Sequence, residues 1–184
     1  MASVWKKSAT KLAERFRIFD LIRERFESPR NGHTVDAVVC VAADWVNIVA
    51  LTDGGRVVLI RQFRFGSESV ELEIPGGMVD PGEQPLAAAR RELLEECGYE
   101  SERWTSLGTS LPNPAFLRNR LHLFLAEGCR KTCEQNLDPG EDIDVEEADL
   151  ADIDAMLADG RIANSLVAVA FQKLAFARRG LELG

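Results

Sequence analysis

The stretch Gly76–Tyr99, GGMVDPGEQPLAAARRELLEECGY, gathers glutamates and an arginine at spacings suited to holding a cation. At about 100° per residue of helix, Glu92, Glu95 and Glu96 share a sector roughly 100° wide. Leu86, Ala89, Leu93 and Cys97 fall on a neighbouring apolar stripe, so one helix would bury one flank and aim carboxylates from the next. Like charges at these spacings cost about 0.2–0.5 kcal/mol per pair in an isolated helix, and a divalent cation among them removes that cost. Hard oxygen ligands suit Mg²⁺, with Mn²⁺ as a substitute, bound through a few carboxylates together with substrate phosphates. Arg91, four residues before Glu95, can hold a carboxylate through paired hydrogen bonds, although an ordinary surface salt bridge has the same spacing. The plain alternative for the whole stretch is a solvated charged helix.

Local rules position these side chains. Strong helix formers run from Leu86 to Glu96, opened by Pro85 and closed at Gly98. Ahead of them, Gly76-Gly77 lets the chain turn tightly and approach a ligand. The strand-like run SVELEIP, in which Glu71 and Glu73 alternate with Leu72 and Ile74, delivers the chain to those glycines. Before it, the Asp53-Gly54-Gly55 turn leads from one strand, about 46–51, into RVVLIRQFRF as a hairpin. There Gln62 and Arg64 face opposite to Arg61, Phe63 and Phe65. An earlier strand spans about 35–41. FRIFDLIRERFESP reads as an extended outer strand ended by Ser28-Pro29 and Asn31-Gly32, while residues 1–16 are expected as a short helix or a loosely ordered segment.

Beyond the glutamate helix, TSLGTSL and RLHLFLAEG read as strands separated by the loop Pro112–Phe116, and LDPGEDIDV as an acidic, turn-rich loop. Leu150, Ile153 and Leu157 mark an amphipathic helix, and SLVAVAFQKLAFARR a last one capped by Asn164 or Ser165. Strands with helices outside them make an α+β protein, a mixed β-sheet sandwiched between helices.

A chain of 184 residues with 46% hydrophobic and 28% charged residues suits one domain with a substantial core, residues 1–184. No apolar run approaches the roughly 18 residues of a membrane span, and the start MASVWKKSATKLAERF, with lysines but no apolar block behind them, is not expected to act as a signal peptide. A net charge of −8 without a long basic stripe argues against a nucleic-acid partner. Cys40, Cys97, Cys129 and Cys133 lack the paired spacing of a structural zinc site; as reduced thiols they fit a cytoplasmic protein.

Gly77, five residues, Glu83, seven residues, then Arg91-Glu92-Leu93-Leu94-Glu95-Glu96-Cys97-Gly98-Tyr99 matches the Nudix signature GX5EX7REUXEEXGU, where U is a bulky apolar residue. Seven fixed positions would coincide by chance about once in 10⁸ starting points. The chain thus resembles the Nudix hydrolases. Around the box, RQFRFG ahead of VELEIPGG, with Pro114 fifteen positions past Tyr99, resembles the branch that cleaves ADP-ribose and nucleotide sugars.

The resemblance implies the Nudix fold and a Mg²⁺-dependent cut of the diphosphate in ADP-ribose or another nucleoside diphosphate sugar, leaving a nucleoside monophosphate and a sugar phosphate. It implies that Glu92 and Glu96 bind metal with Glu95 nearby, that Gly77 contributes a carbonyl, and that Glu83 is an outer ligand. Arg64 would touch the diphosphate or ribose, or else be a solvated strand arginine; Glu73 would border the base or sugar pocket, or else be an exposed strand glutamate. With Pro114 these form the implied substrate contacts. Arg91 and Glu95 join the catalytic group. The general base is implied to come from an acidic loop, with Glu141 the candidate and Asp142 and Asp144 its competitors. Trp45 and Phe116 could stack on a base, but core or dimer contacts are the expectation for them. The resemblance further implies a homodimer whose N-terminal strands, about residues 17–45, cross to the partner. Two alternatives use the same fold: a housecleaning nucleoside triphosphate pyrophosphohydrolase, and a nucleotide-sensing module without turnover.

Overall fold

A computed structural model describes residues 3–183. In chain order the strands and helices begin with β1 (Lys6–Arg15), β2 (Phe19–Glu27), β3 (Thr34–Ala42), β4 (Trp45–Thr52), β5 (Arg56–Arg64), β6 (Ser69–Glu73) and β7 (Gly76–Met78). They continue with α1 (Pro85–Cys97), β8 (Tyr99–Glu100), β9 (Arg103–Ser110), β10 (Leu117–Arg118), β11 (Leu121–Lys131), β12 (Ile143–Asp149), α2 (Ile153–Ala158) and α3 (Ser165–Arg178). The chain divides into two compact units: the described residues up to Asp44 with Leu111–Arg120, and Trp45–Ser110 with the described residues from Leu121 onward. No helix among the described residues is long and apolar enough to cross a membrane.

The first unit is a four-stranded sheet in the order β1-β2-β3-β10, antiparallel except where β10 runs parallel to β3. The expectation of a helix or loose segment at the N-terminus is corrected here: of the residues concerned, Lys6–Arg15 form a ten-residue strand, and the first two lie outside the described residues. The cause is pairing with β2, invisible to local propensity. Phe16 donates its N–H to the Phe19 carbonyl at 2.9 Å, closing the hairpin. Cross-strand charges then fit: Lys7 meets Glu24 at 3.1 Å and Arg15 meets Asp20 at 3.1 Å.

In the second unit a mixed sheet follows the path β12-β5-β4-β11-β8, with β6 added to β5, β7 to β4 and β9 to β11. β4 and β11 are parallel neighbours, joined by residues 53–120; their other pairings are antiparallel. Side-chain alternation along β4 builds two cores. Val46, Ile48 and Ala50 pack with Ala88, Ala89, Leu93 and Cys97 of α1. Val49 and Leu51 pack with Val167, Ala170, Phe171 and Leu174 of α3. The sheet is therefore sandwiched between helices, as the pattern of elements predicts.

Two local expectations change. The acidic loop is shorter than its composition suggests, because Ile143 already pairs with Gln62 and the ladder runs to Asp149 opposite Arg56. Only the turn around Asp138–Glu141 remains loop-like, closed by the Glu141 N–H to the Asp138 carbonyl at 2.9 Å. The helix marked by Leu150, Ile153 and Leu157 begins as a 3-10 turn, Leu150–Asp152, before α2. For α3 the cap is Asn164, whose side-chain oxygen accepts the Leu166 N–H at 2.8 Å.

Candidate active site

Steric rules at its two ends set α1. Pro85 occupies the first turn, where its missing N–H is no loss. Gly98 ends the helix in the left-handed region at φ 72°, its N–H reaching the Leu94 carbonyl at 2.8 Å. A Cβ there would also lie 2.2 Å from the Cys133 carbonyl oxygen, so conformation and space both demand glycine. Between these ends Ala88, Ala89, Leu93 and Cys97 go into the core, and the burial carries Glu92 and Glu96 in with them. Glu96 is 3% exposed and Glu92 9%, whereas the Glu95 side chain remains 38% exposed.

The backbone of β7 lies against those two carboxyl groups. The Gly76 N–H donates to Glu96 Oε2 at 2.9 Å. A Cβ on Gly77 would sit 2.2 Å from Glu92 Oε1, and one on Gly76 would sit 2.3 Å from the Val46 carbonyl oxygen. The glycine pair thus serves close approach as well as turning. Arg91 braces the same cluster: Nη1 donates to Glu92 at 2.9 Å and to Glu95 at 3.1 Å, and Nη2 to Glu83 and to the Met78 carbonyl, each at 3.0 Å. Arg91 therefore joins both ends of the signature, and Glu83 is held by it while accepting the Asp80 N–H at 3.1 Å.

Burial pushes the Glu96 carboxyl up to about 8, against the Gly76 N–H that would lower it and with help from the charges of Glu92 and Glu141. Glu92 is also raised, by burial first, with Arg91 opposing and Glu95 and Glu141 adding repulsion. Clustered buried carboxylate oxygens beside a backbone that only glycine allows so close are the donor chemistry of a hard divalent cation. Glu92, Glu96, the Gly77 carbonyl and the more exposed Glu95 are the groups that could hold one. Among the described residues no group of three or more His, Cys, Asp or Glu side chains is gathered closely enough to hold a metal ion, so these side chains would have to draw together around it.

Arg64 and Glu73 come together. Arg64 donates to both Glu73 oxygens, and Asn164 Nδ2 donates to Glu73 Oε1 at 3.0 Å, so Glu73 is a buried partner rather than an exposed strand glutamate. The Arg64 guanidinium resists the desolvation that would lower its pKa and is held above its ordinary value by the Glu73 hydrogen bond and by the charges of Glu73, Glu96 and Glu141. Glu141 acts on Arg64, Glu92 and Glu96 through its charge, with no hydrogen bond to them among the described residues. Its carboxylate also accepts the Asp138 N–H at 3.0 Å, whereas Asp142 and Asp144 are exposed and Asp144 stands opposite Arg61. Pro114 lies in the first unit, lining a cavity of about 500 Å³ with Phe116 and Arg118. Trp45 packs on the second unit's core.

Two contributors, Asn164 and Gln135, lie outside the motif, and the signature's Tyr99 has a partner that the motif does not mark. Asn164 links α3 to Glu73, Tyr99 donates its hydroxyl to Glu147 at 2.7 Å, and Gln135 donates to the Glu96 carbonyl at 2.6 Å. Asn164 was legible as a cap; nothing local marks the partners of the other two.

Residues 43–167 match the NUDIX domain family. An ADP-ribose pyrophosphatase of Bacillus subtilis (strain 168) is 32% identical over 159 residues, covering 86% of this chain and 85% of the relative. The methanol dehydrogenase activator of Bacillus methanolicus is 30% identical over 177 residues, 95% of each chain. The crystal structure of an ADP compounds hydrolase shares the fold, with a TM-score of 0.84 at 23% identity over 98% of this chain and 97% of that one. The signature, the sandwich that positions it and a family match spanning most of the chain together establish that this chain belongs to the Nudix family.

Proposed function

We propose that the chain is a Mg²⁺-dependent pyrophosphohydrolase of ADP-ribose or another nucleoside diphosphate sugar, releasing a nucleoside monophosphate and a sugar phosphate. The observation that carries the reading is the burial of Glu92 and Glu96 against the Gly76-Gly77 backbone within reach of the Arg64 charge. The relationship to a protein named as an ADP-ribose pyrophosphatase supports the substrate class.

In this reading Glu92, Glu96 and the Gly77 carbonyl hold the cation, with Glu95 beside them. When bound, the cation neutralises charge on the phosphoryl oxygens during in-line attack by water. Arg91 keeps Glu92 and Glu95 in place. Arg64, anchored on Glu73, presents its remaining N–H groups to the diphosphate. Glu141 takes the proton from the attacking water. Cys40, Cys97, Cys129 and Cys133 are free thiols, which supports a reducing, cytoplasmic setting. The apolar side chains Phe16, Phe19, Val38 and Phe116, lining one cavity of the first unit, support a homodimer built through that unit.

Separate incubations with ADP-ribose, ADP-glucose, GDP-mannose and the nucleoside triphosphates in Mg²⁺, followed by chromatography, test this. A nucleoside monophosphate with a sugar phosphate is the expected outcome. Pyrophosphate from nucleoside triphosphates alone would make it a triphosphatase, and intact substrates throughout would leave a binding module.

A further inference from the structure

Gln135 stands between two parts of the candidate site, the Glu96 end of α1 and the start of β12. The last turn of a helix leaves carbonyls without intrahelical donors, and partners from outside the helix meet several of them here. Leu93 and Leu94 accept from the Gly98 N–H, Glu95 accepts the Asn136 N–H at 2.9 Å, and Glu96 accepts from Gln135 Nε2 at 2.6 Å. The same Nε2 also donates to the Ile143 carbonyl at 2.9 Å. Both hydrogens of one amide are thus engaged, one on the backbone of Glu96 and the other two residues past Glu141.

The segment between those points needs an anchor. The Asp138–Glu141 turn, Asp-Pro-Gly-Glu, carries two carboxyl groups and belongs to no helix or strand. Within the turn the restraints are local, Glu141 bonding to Asp138 by backbone and side chain. At the far side Ile143 is the first rung of the β12–β5 ladder. On the near side Leu137 packs against the α1 core and Asn136 holds Glu95. Gln135 closes this span into a ring tied to α1.

We propose that Gln135 is a positioning residue that fixes the distance between the Glu96 end of α1 and the turn bearing Glu141, acting on the reaction through Glu141. The proposal rests on the functional reading above, in which Glu141 handles the proton of the attacking water. A methionine at 135 keeps length and bulk but has no N–H, so Q135M removes both donations with little change in packing.

In the full-length protein, Q135M is expected to lower kcat 10- to 100-fold with KM within about threefold of the parent, measured on whichever diphosphate substrate the parent turns over. Adding Q135M to E141Q should slow E141Q no further, because the two act in one step. Independently of turnover, amides from 136 to 143 should exchange hydrogen at least tenfold faster in Q135M while those of β4 and β5 keep their protection. Multiplying rate losses in the double variant, or unchanged exchange at 136–143, would overturn the proposal. A parent that hydrolyses no diphosphate would overturn the functional reading instead, and the exchange comparison would still decide whether Gln135 is the anchor.

Discussion

Arg64 and Glu73 are joined between β5 and β6 by two parallel hydrogen bonds, Nε to Oε1 at 3.0 Å and Nη2 to Oε2 at 2.6 Å. The carboxylate is buried, while the arginine side chain keeps 43% of its surface exposed. One edge of the guanidinium is thus fixed and the rest is offered outward, already oriented. A lysine keeps the charge and loses the fork. R64K is expected to raise KM for a nucleoside diphosphate sugar about tenfold, and to cost about 1–3 kcal/mol of stability by leaving Glu73 incompletely paired. Steady-state kinetics and urea unfolding check both halves; unchanged KM would remove Arg64 from substrate binding.

E96Q is expected to cut kcat by at least about 100-fold, because one oxygen ligand loses its charge in a site where charge neutralisation carries the chemistry. Stability should move the other way. Burial already opposes the Glu96 charge, so in chelator at pH 8 the amide variant should melt no lower than the parent. Rates and calorimetric melting temperatures on the same preparations check this, and near-parental turnover would exclude Glu96 from the site.

A methyl group on Gly77 would lie 2.2 Å from Glu92 Oε1 and 2.4 Å from its carboxyl carbon. G77A must therefore displace the Glu92 carboxyl or the loop. The expected result is at least tenfold weaker Mn²⁺ binding, read by the paramagnetic signal of free Mn²⁺, with the sheet retained by circular dichroism. Parental affinity would show that neither Gly77 nor Glu92 borders the ion.

Glu24 in the first unit is held down at about 2, first by the Arg118 hydrogen bond, against desolvation, with Lys7 and Thr10 adding to the lowering. A carboxyl group depressed from 4.5 in the folded protein adds stability that is full above that pH and lost as pH falls through about 2. E24Q should therefore be less stable than the parent at pH 5, with the gap closing toward pH 2. Guanidinium midpoints at pH 5, 3.5 and 2 measure it, and a gap independent of pH would contradict the assignment.

The sequence alone determined α1 and its flanking loop. Pro85, Gly98, the Gly76-Gly77 pair and the apolar stripe act through steric and periodic rules within a few residues, so their reading survives intact. It also determined the family, because the signature lies within Gly77–Tyr99. What it could not show is which charges meet. Glu73 read equally well as a solvent-facing glutamate, yet its partners are 9 and 91 residues away in Arg64 and Asn164. Gln135 carries no local signal, and its carbonyl partner at Glu96 is 39 residues distant. Lys6–Arg15 became a strand because β2 supplies matching partners, and Ile143–Val145 left the acidic loop because β5 does. Spacing along the chain decides which side chains share a face. Only folding, through pairings between distant segments that burial of apolar surface enforces, decides what that face meets.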